Sequence, residues 1–152
     1  MTSRGRGLIY ADVLGTGIFT VSAIVAGMVF EGAAKTQGVV VALGLFAIGV
    51  AAFLRGYWGA VQRSRRDVMS VTELFFLVGP SIARREARIM NSLLVIQVIV
   101  ALTTAILRSS TPGESGSTSG STLAFGVLVP VFGLGLNGLW ASRHGTFPER
   151  QL

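Results

Sequence analysis

Four apolar stretches, each 17 to 23 residues long, limit what this chain can fold into: residues 8–30, 39–61, 91–107 and 123–142. A helix rising 1.5 Å per residue needs about 20 residues to cross a hydrocarbon core of roughly 30 Å. Each stretch therefore reads as a transmembrane helix, and the chain as an all-α polytopic membrane protein with four spans in one bundle. The first stretch follows Arg4 and Arg6 as a signal peptide would. It is longer than a signal peptide's apolar region of about 7–15 residues and has no Ala-x-Ala site close behind it. An uncleaved span is expected. Only 13% of the 152 residues are charged, about half the share of a soluble domain, and the length suits one domain.

The arginines set an orientation. With the N-terminus inside, Arg4, Arg6, Arg63, Arg65, Arg66, Arg84, Arg85, Arg88, Arg143 and Arg150 all fall on the cytoplasmic side. The outer connections keep Lys35 and Arg108, and Arg55 lies within the second span. An excess of Lys and Arg on inner loops is the usual determinant of topology, so both termini are expected in the cytoplasm and the chain in the cell membrane. The net charge of +6 sits beside membrane spans, which argues for anionic lipid headgroups as partners and against nucleic acid. Arg63, Arg65, Arg66, Arg84, Arg85 and Arg88 are the candidates for lipid or partner contact.

The connections differ in character. Residues 31–38, EGAAKTQG, read as a short outer turn, and the Ser/Thr/Gly run at 109–122 as a flexible outer loop without a fold of its own. The inner loop, 62–90, holds an apolar segment at 68–78 too short to span. It is expected to form a short interfacial helix with Phe75 and Phe76 in the acyl boundary. Gly79-Pro80-Ser81 is expected to restart a helix that runs directly into the third span, with Pro80 in its first turn.

Polar residues inside apolar spans are expensive and mark function or helix pairing. Asp12, Arg55, Gln97 and Asn137 fall at a similar depth because the spans alternate in direction, about 6–9 Å below the inner face. Asp12 and Arg55 are the expected ion pair, and Gln97 and Asn137 can each donate and accept between helices. Thr16 and Thr20 continue Asp12 at a spacing of four as a polar stripe. Such a layer either joins the helices or forms a vestibule for a proton, an ion or a small substrate.

Small residues supply the packing signal: Ala52, Gly56 and Ala60 in the second span, Gly138 and Ser142 in the fourth. Pro130 reads as a kink in the fourth span. Tyr10, Tyr57, Trp58 and Trp140 read as interfacial aromatic anchors. Cysteine is absent and His144 is the one histidine, so no catalytic residue, metal site or cofactor is expected.

Residues 72–80 (TELFFLVGP) and 138–148 (GLWASRHGTFP), with 12 Arg against one Lys, resemble small four-span integral membrane proteins of high-GC Gram-positive (actinobacterial) type. The resemblance implies no activity. The expected role is a non-enzymatic subunit or accessory of a membrane assembly, with a second copy or another membrane protein as partner. The alternative is a small oligomeric channel or transporter that uses the polar layer.

Overall fold

A computed structural model of the chain describes residues 3–29, 32–107, 110–112, 118–120 and 126–150. Five helices carry most of them: α1 (Ser3–Met28), α2 (Gly32–Arg63), α3 (Val71–Phe75), α4 (Arg84–Leu107) and α5 (Pro130–His144). No proline interrupts α1, α2 or α4, and these three are long and apolar enough to cross a membrane. Their outward faces expose large apolar side chains such as Leu14, Val21, Ile48, Leu54, Ile99 and Leu102. A water-facing surface seldom shows so much contiguous apolar area.

The first connection is shorter than the sequence suggested. Instead of a turn at 31–38, α2 begins at Gly32 and runs for 32 residues. Ala33, Ala34, Lys35 and Gln37 are good helix formers, and the Thr36 hydroxyl donates to the Gly32 carbonyl at 3.0 Å within the first turn. The far ends agree more closely: α2 ends at Arg63 and α4 at Leu107.

The inner loop changes in two respects. α3 is present, closed by a capping box in which Ser70 and Glu73 satisfy each other's backbone N–H. Its Phe75 does not lie in the acyl boundary. Phe75 is 6% exposed and stacked on Phe53 at 4.5 Å, while Phe76 is 49% exposed. A five-residue helix can bury only one face, and the space beside Gly138 admits the Phe75 ring. Pro80 also stands outside α4, which starts at Arg84. Ser81 serves the loop instead: its hydroxyl donates to Glu73 Oε1 at 3.0 Å, and its carbonyl accepts from the Thr146 backbone at 2.9 Å. The chain reverses at Leu77, whose φ of 51° is unusual for a residue with a Cβ and is held by a buried side chain.

α5 is the central element. It contacts α1, α2, α3 and α4, and every residue from Gly135 to Ser142 is buried. A helix buried on all sides is a core helix. Its 15 residues come to about 22 Å, shorter than the span expected over 123–142, of which 123–125 lie outside the described residues. Pro130 is its first residue, where a missing N–H leaves no bond unmade, and so makes no kink. Glycines let α2 approach it. A Cβ on Gly49 would come within 2.5 Å of the Phe132 backbone, and one on Gly56 within 2.6 Å of the Leu139 nitrogen. Ala52, Gly56, Ala60, Gly138 and Ser142 are all buried, with Gly49 and Gly135 extending the contact.

Within the loop expected to lack structure, β1 (Ser110–Pro112) pairs antiparallel with β2 (Thr118–Gly120), Thr111 opposite Ser119. At the opposite end the last described residues are tied to the inner loop. Val68 N–H donates to Pro148 O at 2.8 Å and Arg150 N–H to Arg66 O at 2.7 Å.

Candidate functional site

The start of α1, the end of α2, the start of α4 and the end of α5 meet at one arginine-rich end. There Gly5, Arg63, Ala83, Glu86, Trp140 and His144 line a common cleft of about 560 Å³. The expected polar layer lies further in, and the structure divides it into two clusters and one separate residue.

The first cluster joins α1 to α4. Gln97 Nε2 donates to Asp12 Oδ1 at 3.1 Å and to Thr16 Oγ1 at 2.7 Å. Asp12 and Gln97 are fully buried and Thr16 nearly so. Asp12 and Thr16 stand four apart, one turn along a helix face, so a single amide reaches both. Gln97 Oε1 sits where Gly133 of α5 lacks a side chain; a Cβ there would lie 2.7 Å away. Asp12 Oδ2 and Gln97 Oε1 have no hydrogen-bond partner among the described residues. Thr20 does not join this cluster, as its hydroxyl donates to the Thr16 carbonyl of its own helix at 2.8 Å.

The second cluster caps α3. The last carbonyls of a helix lack intrahelical partners. Asn137 Nδ2 donates to Phe75 O at 3.0 Å and to Asn91 Oδ1 at 3.2 Å, and Asn91 Nδ2 donates to Phe76 O at 2.6 Å. Two side-chain amides, from α5 and α4, thus hold the end of α3 against the core. Asn91 was not singled out in the sequence as part of the layer. It sits at the expected start of the third span, where an amide reads as a boundary residue.

Arg55 belongs to neither cluster, and the structure does not bring it to Asp12. The buried side of α2 carries Ala42, Gly49, Ala52, Gly56 and Ala60, and Arg55 lies off that side. It is exposed between Leu54 and the exposed Trp58, with no hydrogen bond or ion pair among the described residues. Trp140 also differs from expectation: it is buried, its Nε1 without a partner among the described residues. Tyr10, Tyr57 and Trp58 are exposed.

Among the arginines read as lipid contacts, Arg65, Arg66, Arg84, Arg85 and Arg88 are exposed. Arg63 is turned inward. It pairs with Asp67 at 2.9 Å and donates to the carbonyls of Ser142 at 3.0 Å and Gly145 at 3.2 Å. Its guanidinium also lies over the Phe147 ring, 5.4 Å from the centroid. This planar fork satisfies the end of α5 and fixes the segment behind it. Beside it, burial and the neighbouring Arg143 charge hold the His144 imidazole below its ordinary 6.5. The described residues contain no grouping of three or more His, Asp or Glu suited to a metal ion.

Comparison with protein-family models, with curated proteins and with solved structures returns no match.

Proposed function

We propose that the chain is a four-span membrane protein, with both termini in the cytoplasm, that works as a non-enzymatic subunit of an assembly in the cell membrane. One observation carries this reading. Arg55 is exposed on an apolar helix face, eight residues before the arginine-rich end of α2, and has no partner among the described residues. A charged side chain at such depth is costly unless it is paired or reaches the headgroups. Gly44, Ala47 and Ala51 lie on the same exposed side of α2, the small-residue pattern that lets a neighbouring helix approach. A carboxylate or amide on that neighbour would complete Arg55.

The test is purification of the tagged chain in mild detergent, followed by mass spectrometry of co-purifying chains. A stoichiometric partner lost in Arg55→Leu and retained in Arg65→Leu supports the reading. A homogeneous homo-oligomer indifferent to Arg55 overturns it.

A channel or transporter is the second reading. It is favoured by Asp12 Oδ2 and Gln97 Oε1, two buried acceptors without donors, which leave capacity for a proton or a cation. In that case Asp12→Asn abolishes flux in reconstituted vesicles while the chain still assembles. A structural role alone leaves no flux to lose.

A further inference from the structure

Asp12 Oδ2 and Gln97 Oε1 are the remaining halves of two side chains that are already joined. Gln97 Nε2 donates one hydrogen to Asp12 Oδ1 at 3.1 Å and the other to Thr16 Oγ1 at 2.7 Å. The second oxygen of that carboxyl and the oxygen of that amide are both buried, with no hydrogen-bond partner among the described residues. Both are acceptors while the carboxyl is ionised, so an anionic Asp12 leaves two buried acceptors without a donor. Buried polar side chains are paired in the large majority of cases.

Nor does a cation compensate that anion. Asp12 is fully buried and joins no ion pair among the described residues. α1 packs on α2, α4 and α5, and each of them keeps its arginines elsewhere. Arg55 of α2 is exposed, and Arg63 is committed to Asp67 and to the carbonyls of Ser142 and Gly145. Arg84, Arg85 and Arg88 of α4, Arg143 of α5 and Arg6 of α1 itself are exposed towards the helix ends. Glu86 shares the buried face of α4 with Gln97, but it is itself an acid and lies about 16 Å before Gln97 along the helix. An isolated carboxylate in such a place is strongly disfavoured.

A metal ion is a poor remedy. Hard cations take about six or more oxygens, and the amide is packed tightly on α5: a Cβ on Gly133 would come within 2.7 Å of Gln97 Oε1 and 3.2 Å of Nε2. A proton needs no such shell. One hydrogen on Oδ2 turns an orphaned acceptor into a donor, and the joined amide offers its own orphan, Oε1, to receive it. We infer that Asp12 is a proton-binding site in the α1–α4 seam, a carboxylic acid whose Oδ2–H donates to Gln97 Oε1. The transport reading thereby gains its cargo, a proton in place of a metal cation. The site does not depend on that reading, since a chain that transports nothing still holds the proton.

Infrared spectroscopy of the full chain in lipid nanodiscs tests it. The sequence has two aspartates, Asp12 and Asp67, and Asp67 is ion-paired with Arg63. Cell-free synthesis with carbon-13 at the aspartate side-chain carboxyl therefore isolates Asp12 without a variant. The labelled-minus-unlabelled difference is taken at about pH 6, where exposed carboxylates are ionised. One isotope-shifted carboxylic-acid C=O band is expected, and it should be absent in Asp12→Asn. Asp12→Asn should keep the wild-type melting temperature, because its amide N–H donates to Gln97 Oε1 where the acid did. Asp12→Leu, with no donor to give, should melt lower by roughly 5 °C. Carboxylate bands alone in the wild-type difference spectrum overturn the inference. So does a melting temperature that falls as far in Asp12→Asn as in Asp12→Leu, or one that rises with sodium ion in the wild type and not in Asp12→Asn. Proton flux in vesicles is read separately: its absence removes the transport reading and leaves the labelled band, and this inference with it, standing.

Discussion

A single amide nitrogen links the first and fourth helices. Gln97 Nε2 serves both Asp12 and Thr16, so Gln97→Leu removes two hydrogen bonds and strands two buried acceptors. Interhelical polar contacts in membranes average only about 0.6 kcal/mol, but an orphaned buried group costs about 1–3 kcal/mol. The second figure governs here because neither acceptor has another donor. Gln97→Leu is expected to lose about 1–3 kcal/mol, measured as reversible loss of helical circular dichroism in detergent. His144 gives a pH-dependent counterpart. Its folded pKa lies below the ordinary 6.5, through burial first and the Arg143 charge second, so the folded chain binds fewer protons there than the unfolded chain. Its contribution is complete above the unfolded pKa and is lost as pH falls through the folded one. As the one histidine in the sequence, it gives a single imidazole titration by NMR. The midpoint should lie below 6.5 and rise part of the way back in Arg143→Gln, because burial remains.

Elements are joined by what glycines leave out. Gly56 faces the Leu139 and Gly138 backbones, whereas Gly44 on the same helix meets nothing within 4 Å. Gly56→Ala should therefore destabilise by about 1–3 kcal/mol through overpacking, and in the chain purified away from any partner Gly44→Ala should be neutral or stabilising by helix propensity. Thermal melts of the two variants compare them directly, and equal losses would remove the close α2–α5 crossing. The small-residue face on α2 and the ends of α2 and α4 were legible in the sequence, because they follow from periodicity and from the first charges after an apolar run. The start of α2 was not: Ala33 and Ala34 favour helix, and the flanking Glu31, Gly32 and Gly38 disguised it as a turn. Nor could periodicity show that Phe75 turns inward and Phe76 outward, since only the space beside Gly138 decides between them. The polar residues were legible as a set and not as partners. Spacing along a helix lists its polar residues, whereas pairing depends on rotation about the helix axis, and Arg55 is exposed on α2 while Asp12 is buried.

At the scale of the molecule, one end carries the arginines and the flanks are apolar. Because the chain has no cysteine, single introduced cysteines report sidedness without background. Arg150→Cys should react with an impermeant maleimide only after the membrane is opened, and Glu114→Cys in intact cells, as the arginine asymmetry dictates. The reverse pattern would place the arginine-rich end outside.

The helix at the centre is also the last of the five in chain order. α1, α2 and α4 leave the ribosome before α5, so Gly49, Gly56, Asn91 and Phe75 must wait for the residues that cover them. During that interval the chain presents an open groove and unpaired amides to whatever surrounds it. Its vulnerability to insertase error and to membrane proteases is concentrated in the time between synthesis of Leu107 and of His144, and a chain stopped before α5 has the outer walls without the part that closes them.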